Sequence, residues 1–469
     1  MVFSSNKPLS EVTKMQAETT REGFRSRLGF LLVCAGCAIG VGNVWRFPYI
    51  VGQNGGGLFV LFYLIFLTIM GVPILCMELA IGRASRKTVF QGIKALEKPG
   101  QKWHLQGWVS YFGSLLLMMY YTTVSGWMLA YFWKFLTGEF EDKTSGELSG
   151  MFGSMLENPS EMFVFTGLII ALGFFVLCFG VQKGLERVSK VMMLALLGLI
   201  IVLAVHSLTL KGAGEGLKFY LVPNADNIVN VGFSKVILSA MSQAFFILSL
   251  GIGAMEIFGS YMEKDHTLLG ESVKICSLDT FVALMAGLVI FPACASYDVE
   301  IEQGPALIFE ALPKLFINMP GGRIWGALFF LFMVFASFST VTAVFENLVR
   351  NTMDSLGWSR IKSIASHVVI VTITSIPCIL GFNVWKDLKF PGDQDVLGFE
   401  DFLVSNILLP GGCLIFILFC SWKFGWGADK FLEETNTGKG MKLHRAFIPY
   451  FKYVLPILIL IVMISGFIS

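Results

Sequence analysis

Apolar residues run along this chain in long blocks, and the polar residues gather at the joints between them. Blocks of about 20 residues match the length of a bilayer-crossing helix. Eleven are legible, over roughly 28–51, 57–81, 107–136, 162–181, 187–210, 233–262, 272–296, 322–355, 363–382, 399–424 and 447–468. Several are longer than a bilayer needs, which predicts tilt or a break. The pattern predicts an all-α integral membrane protein with eleven transmembrane helices and no soluble domain.

In two blocks the pattern fails. Residues 36–48, "GCAIGVGNVWRFP", place three glycines, an asparagine, an arginine and a proline inside an apolar run. Residues 242–261, "SQAFFILSLGIGAMEIFGSY", repeat the anomaly, with Gly251-Ile252-Gly253 echoing Gly40-Val41-Gly42 five blocks later. Irregular backbone at membrane depth is tolerated only where it is buried in protein or lines a cavity. Small residues also serve close helix packing. Two interruptions at matched positions, however, are the sequence sign of an inverted-repeat transporter. The expected architecture is a 5+5 inverted repeat with unwound first and sixth helices. The first repeat covers about 27–210, the second about 233–424, and the block at 447–468 is an extra C-terminal helix. Together, 27–469 form one transporter domain behind a polar segment, 1–26.

Composition agrees: 55% of residues are hydrophobic and only 14% charged, where a soluble chain carries about 25% charged residues. Loop charges set the orientation. Residues 83–106 hold six Lys or Arg against Glu97, and 138–161 hold six acids against Lys143. Positive loops stay cytoplasmic, so the N-terminal segment is expected inside and, after eleven crossings, the C-terminus outside. The first 20 or so residues lack the apolar core of a cleavable signal peptide. Nine cysteines fall in or at the ends of apolar runs without metal-ligand spacing. Five scattered histidines give no nucleophile–base constellation, so an enzyme is not indicated.

Several motifs together carry a family resemblance. The run "RLGFLLVCAGCAIGVGNVWRFPYIVGQNGGGLFVLFY" (27–63), with "ELAIGR" (78–83), "YYTTVSGW" (120–127), "KGLERVSK" (183–190) and "FASFSTVTAVFEN" (335–347), resembles the neurotransmitter:sodium symporter family. The likeness extends from about residue 20 to the end and is greatest to the bacterial amino-acid branch.

That resemblance implies sodium as coupling ion, at two sites. The second would use the carbonyls of Gly36, Ile39 and Ala336 with the hydroxyls of Ser339 and Thr340. The first would use the Ala38 carbonyl, the Asn43 side chain, Ile247 and Asp279, with the substrate carboxylate. Two departures stand out there. Ile247 replaces the usual Thr or Ser and leaves only a backbone carbonyl. Asp279 replaces the usual Asn, and a carboxylate inside a span is a functional candidate by default. It could restore the missing ligand and stand in for the chloride that animal members bind.

The implied substrate pocket is lined by Cys37, Ala38, Val41, Gly42, Tyr121, Phe246, Ser249, Ile252, Thr340 and Val344. The Val41 and Gly42 N–H groups and the Tyr121 hydroxyl suit a carboxylate. Gly40 stands where monoamine transporters place an aspartate, which points to α-amino acids, and the apolar wall points to a neutral, hydrophobic side chain. Arg46 and Asp401 would form the outer gate. Arg21 and Asp354 would form the inner one, with Phe24 where relatives usually place Trp. No proline follows Gly-Leu-Glu in the fifth span, where relatives that unwind carry one. The expectation is thus a sodium-coupled, chloride-independent importer of neutral amino acids in a bacterial inner membrane, with the amino acid, sodium and the bilayer as partners and no other cofactor. A non-transporting amino-acid sensor, or a symporter of another small zwitterion, remains the alternative.

Overall fold

The computed structural model describes residues 23–141, 143–229, 231–297 and 305–468. Helices account for most of them, and among the described residues β-pairing is limited to isolated bridges. This is an all-helical, multi-pass membrane protein. Among the described residues, nine helices are long and apolar enough to cross a bilayer, and a bent pair, Arg27–Ala38 with Gly42–Gln53, makes a tenth. The sequence pattern predicts eleven. The difference lies at the sixth block, which folds as two short helices, Phe233–Phe246 and Ala254–Tyr261. Neither piece is of spanning length, so the eleventh crossing depends on joining them through residues 247–253.

For brevity the spans are numbered in chain order: first, Arg27–Gln53; second, Gly57–Ser85; third, Trp103–Thr137; fourth, Pro159–Cys178; fifth, Val181–Leu208; sixth, the broken pair; seventh, Leu268–Ser296; eighth, Gly322–Leu356; ninth, Arg360–Leu380; tenth, Val396–Ser421; last, Arg445–Phe467. The third and eighth pack along one another at the centre, and both broken spans lie against their neighbours in this core. Short helices that the pattern did not predict, including Val89–Leu96, Ser145–Glu157 and Ala428–Thr435, cover the ends of the spans. The last of these is pinned by Arg83, which is fully buried and donates to Glu434 Oε1 at 2.6 Å and to the His266 carbonyl at 2.7 Å.

The two breaks have different local causes. In the first span the helix stops at Ala38, residues 39–41 turn the chain, and a wide π turn, Gly42–Arg46, leads into Phe47–Gln53 with a 58° bend. In the sixth, Ser249, Gly251 and Gly253 have positive φ of 49°, 105° and 71°, and the two glycines take this left-handed conformation without steric cost. Gly251 also lies directly on the Leu409 backbone of the tenth span, leaving no space for a Cβ.

Such backbone is costly in a membrane unless each polar group finds a partner. Around Gly251 side chains supply several of these partners. Glu78 Oε1, from the second span, accepts from the Gly251 N–H at 2.5 Å. Gln106 donates to the Gly251 carbonyl at 3.2 Å, and Asn347 to that of Ile252 at 3.4 Å. The fifth span resolves another expectation. It is continuous α-helix through Met192 and Met193, and its irregularity is a π turn at Val181–Glu186, in the Gly-Leu-Glu motif itself.

Gly251→Ala must therefore clash with Leu409 and strain φ together. A marked fall in the unfolding temperature of the detergent-solubilised protein is expected. Gly198→Ala, in open space on the fifth span, is the control and should be neutral or stabilising by up to about 1 kcal/mol. Equal stability of the two variants would refute this account of the break.

Candidate functional site

The broken spans bring their irregular backbone together around a cavity of about 280 Å³. Its floor comes from Ala38, Gly40, Val41, Gly42 and Asn43, its sides from Tyr121, Phe246, Ile247, Ser249 and Thr340. Its far end reaches Arg46, Asp401 and Leu397. Most of the predicted pocket residues thus line one space. Cys37, Ile252 and Val344 do not: they are buried behind the wall. Ile252 turns toward Gly113 of the third span, where an added Cβ would come within 2.9 Å of it. Leu117 and Val124 line the cavity as well. They share a helical face with Tyr121 at i−4 and i+3, and that spacing was the available signal.

Three arrangements define the chemistry. The first surrounds Thr340 in the eighth span. Its hydroxyl lies 3.3 Å from the Gly36 and Cys37 carbonyls and 3.2 Å from that of Ile39. One hydroxyl proton cannot serve three carbonyls, so lone pairs converge there in excess of donors. One residue back, the Ser339 hydroxyl donates to the Ala336 carbonyl at 2.8 Å. A Cβ on Gly36 would lie 3.2 Å from Ser339 Cβ and 3.1 Å from Met193 Sδ, so the fifth span covers this cluster.

The second arrangement centres on Asn43. Its side-chain oxygen accepts from the Gly40 N–H at 3.0 Å, while its amide nitrogen donates to Asp279 Oδ1 at 2.8 Å and to the Asp279 carbonyl at 3.2 Å. Both residues are fully buried, and Asp279 Oδ2 has no partner. A buried carboxylate with an empty oxygen is an expensive arrangement unless something positive or protic meets it. The third is the Tyr121 hydroxyl, which accepts from the Val41 N–H at 3.1 Å. This leaves the phenolic proton to point elsewhere.

The expected outer gate residues, which could meet directly or through water, are not in direct contact. Arg46 and Asp401 line the same cavity but are not within 4.0 Å of each other. The Arg46 guanidinium instead lies 4.1 Å over the Phe246 ring, a cation–π contact. Asp401 accepts from the Tyr120 and Ser405 hydroxyls, both at 2.9 Å. At the other end of the molecule, Arg21 lies outside the described residues. Asp354 forms an ion pair with Arg350 at 3.0 Å and accepts from the Thr88 N–H at 3.2 Å. Phe24 packs edge-on to Phe30 and Tyr261.

Glu78, within the motif "ELAIGR", and Gln106 and Asn347 carry no role readable from the sequence alone. Their task, capping the sixth-span break, is signalled only by polar side chains standing within apolar blocks.

Comparison with known proteins agrees with this geometry. The chain matches the sodium:neurotransmitter symporter family over residues 21–149 and 151–469. It is 33% identical to an uncharacterized sodium-dependent transporter of Bacillus subtilis, over 94% of this chain and 96% of that protein. It is 26% identical to the sodium- and chloride-dependent GABA transporter 2 of Rattus norvegicus, over 93% of this chain and 78% of that one. Among solved structures, MhsT in complex with L-phenylalanine superposes with a TM-score of 0.85 at 35% identity, covering 95% of this chain and all of MhsT. The broken spans, the carbonyl cluster at Thr340 and the full-length match together place this chain in the sodium:neurotransmitter symporter family.

Proposed function

We propose that this protein is a sodium-coupled symporter of neutral, hydrophobic α-amino acids, working by alternating access with two sodium ions and without chloride. The observation that carries the reading is the convergence of the Gly36, Cys37 and Ile39 carbonyls on one Thr340 hydroxyl. An excess of oxygen acceptors over protons is what a dehydrated monovalent cation requires. The second sodium would bind among Gly36, Ile39, Ala336, Ser339 and Thr340. The first would bind among Ala38, Asn43, Ile247 and Asp279, with the orphaned Asp279 oxygen and the substrate carboxylate completing the shell.

The substrate carboxylate would meet the Tyr121 hydroxyl, and its side chain the apolar wall of Val124, Phe246 and Ile247. MhsT, a relative, was solved in complex with L-phenylalanine, which favours this substrate class. Loop charges favour a cytoplasmic N-terminus and, after eleven crossings, an external C-terminus, and the likeness to a Bacillus subtilis transporter favours a bacterial inner membrane. On that orientation Arg46, Asp401 and Phe246 gate the outside, and Phe24 and Asp354, with Arg21, the inside.

Uptake by proteoliposomes under an inward sodium gradient tests the reading. Accumulation of hydrophobic amino acids is expected, and it should lose its sodium dependence or need far higher sodium in Thr340→Val and Ser339→Ala. Binding without accumulation would instead identify a sensor.

For Tyr121→Phe, one charge-assisted hydrogen bond is lost, worth about 1.5–3 kcal/mol, so amino-acid affinity should fall roughly tenfold or more. Scintillation-proximity or calorimetric binding reads this directly. If phenylalanine in place of Tyr121 binds the amino acid equally well, the carboxylate is held elsewhere.

The Asp279 carboxylate offsets the positive charge of the loaded pocket, so transport should be the same in chloride and in gluconate. Asp279→Asn should weaken sodium-dependent binding, and Asp279→Ser is expected to become stimulated by chloride. Full activity of Asp279→Asn in gluconate would contradict the assignment.

A further inference from the structure

Beyond the pocket, one buried acid is bound to the base of the first span. Glu186 lies at the end of the π turn that begins the fifth span, and it is 5% exposed. No cation lies within ion-pair distance among the described residues. Among the described residues its partners stand at the foot of the first span: the Arg25 N–H at 2.7 Å, the Ser26 N–H at 3.1 Å and the Ser26 hydroxyl at 3.0 Å. Ser26 in turn is the N-cap of that helix and accepts from the Gly29 N–H at 3.0 Å. Gly29 abuts the carboxylate so closely that no Cβ could stand between them. At the other end of the same turn, Gln182 donates to the Gly23 carbonyl at 2.8 Å.

We propose that Glu186 is the positioning residue that latches the inner half of the first span shut, and that the π turn beneath it is the element that moves when the latch opens. The proposal rests on the transport reading above. The fifth span meets the first at Glu186, at its foot, and again at Met193 beside Gly36, over the carbonyl cluster. Holding the foot therefore holds the cover of the second sodium site. A π turn holds one extra residue in the helix. Rewinding it to α turns the flanking residue by about 100° around the helix axis, which swings Glu186 away from Arg25 and Ser26. A carboxylate bonded only to N–H and hydroxyl groups can be re-solvated at the cytoplasmic edge without stranding a partner charge, which an ion pair would do.

The test reads the inner end directly. Cys34 and Cys37 lie on the first span and are fully buried. Modification of Cys34 by a thiol reagent, followed by mass spectrometry of the labelled peptide, reports opening. With the latch intact, sodium should slow this labelling. In Glu186→Gln and Glu186→Ala the rate in sodium should rise at least about tenfold, within reach of a minor open state populated at 0.1–10%. The sodium concentration for half-maximal protection should rise in proportion to the loss of closed protein.

Gly29→Ala attacks the same contact from the other side and should open the inner end on its own. Placed in the Glu186→Ala protein it should add nothing, because the two residues act as one unit. Additive effects, or Cys34 labelling unchanged in both single variants, would overturn the latch. An unmodified protein whose Cys34 ignores sodium, yet labels faster in the variants, would leave the latch standing and overturn the sodium-symport reading instead.

Discussion

Everything in this protein hangs on one requirement: backbone taken out of a helix inside a membrane must still bond every N–H and C=O. Each group left unpaired costs about 1–3 kcal/mol in a protein interior, so a few orphans would equal the whole stability of a domain. Around Gly251 the debt is met by side chains brought in from three other spans: Glu78 from the second, Gln106 at the start of the third and Asn347 from the eighth. Around Gly40 it is met locally and from the third span, by Asn43 and Tyr121. Broken helices are thus possible only because the surrounding helices are polar at the right depths.

The same requirement is deliberately left incomplete at two points. Thr340 supplies one proton to three carbonyls, and Asp279 keeps one oxygen without a donor. Both deficits lie where the family resemblance puts sodium. A cation relieves both without any rearrangement of the helices that carry them. Asn43 links the two regions, because it caps the first break through Gly40 and holds Asp279 through its amide.

Much of this was legible in the sequence, because bilayers impose a strong pattern. The spans follow from apolar length, and the two breaks from glycine and proline at matched depths. Tyr121, Thr340 and Asn43, each named from the motifs, line one cavity, and Asn43 bonds Asp279. What the pattern could not give is direction. Ile252 lies next to a break and was expected in the pocket, yet left-handed backbone at Gly251 and Gly253 turns it toward Gly113. Arg46 and Asp401 are opposite charges at matching depths, yet side-chain reach and competing partners decide whether they meet. Here Phe246 takes the guanidinium, and Tyr120 and Ser405 take the carboxylate. The π turn at Val181–Glu186 was hidden because a π turn differs from α-helix by one residue of register, which leaves hydrophobic periodicity nearly unchanged.

The two ends of the molecule are closed to different degrees, and the chemistry explains the difference. At the Arg46 end, the cavity extends from Ala38 and Thr340 up to Leu397 and Asp401, and the charged residues there hold neutral or aromatic partners rather than each other. A cation–π contact of about 0.5–2 kcal/mol can be exchanged for water or an ion pair at little cost. At the other end, the foot of the first span carries three hydrogen bonds to Glu186 and aromatic packing of Phe24 on Phe30 and Tyr261, and Arg27 reaches Glu271 of the seventh span. Separating that end means breaking these contacts together, which needs a compensating change at the ion sites. On the proposed orientation, the loosely held end is where substrate would enter and the tightly held end where it would leave, an arrangement that favours loading before release.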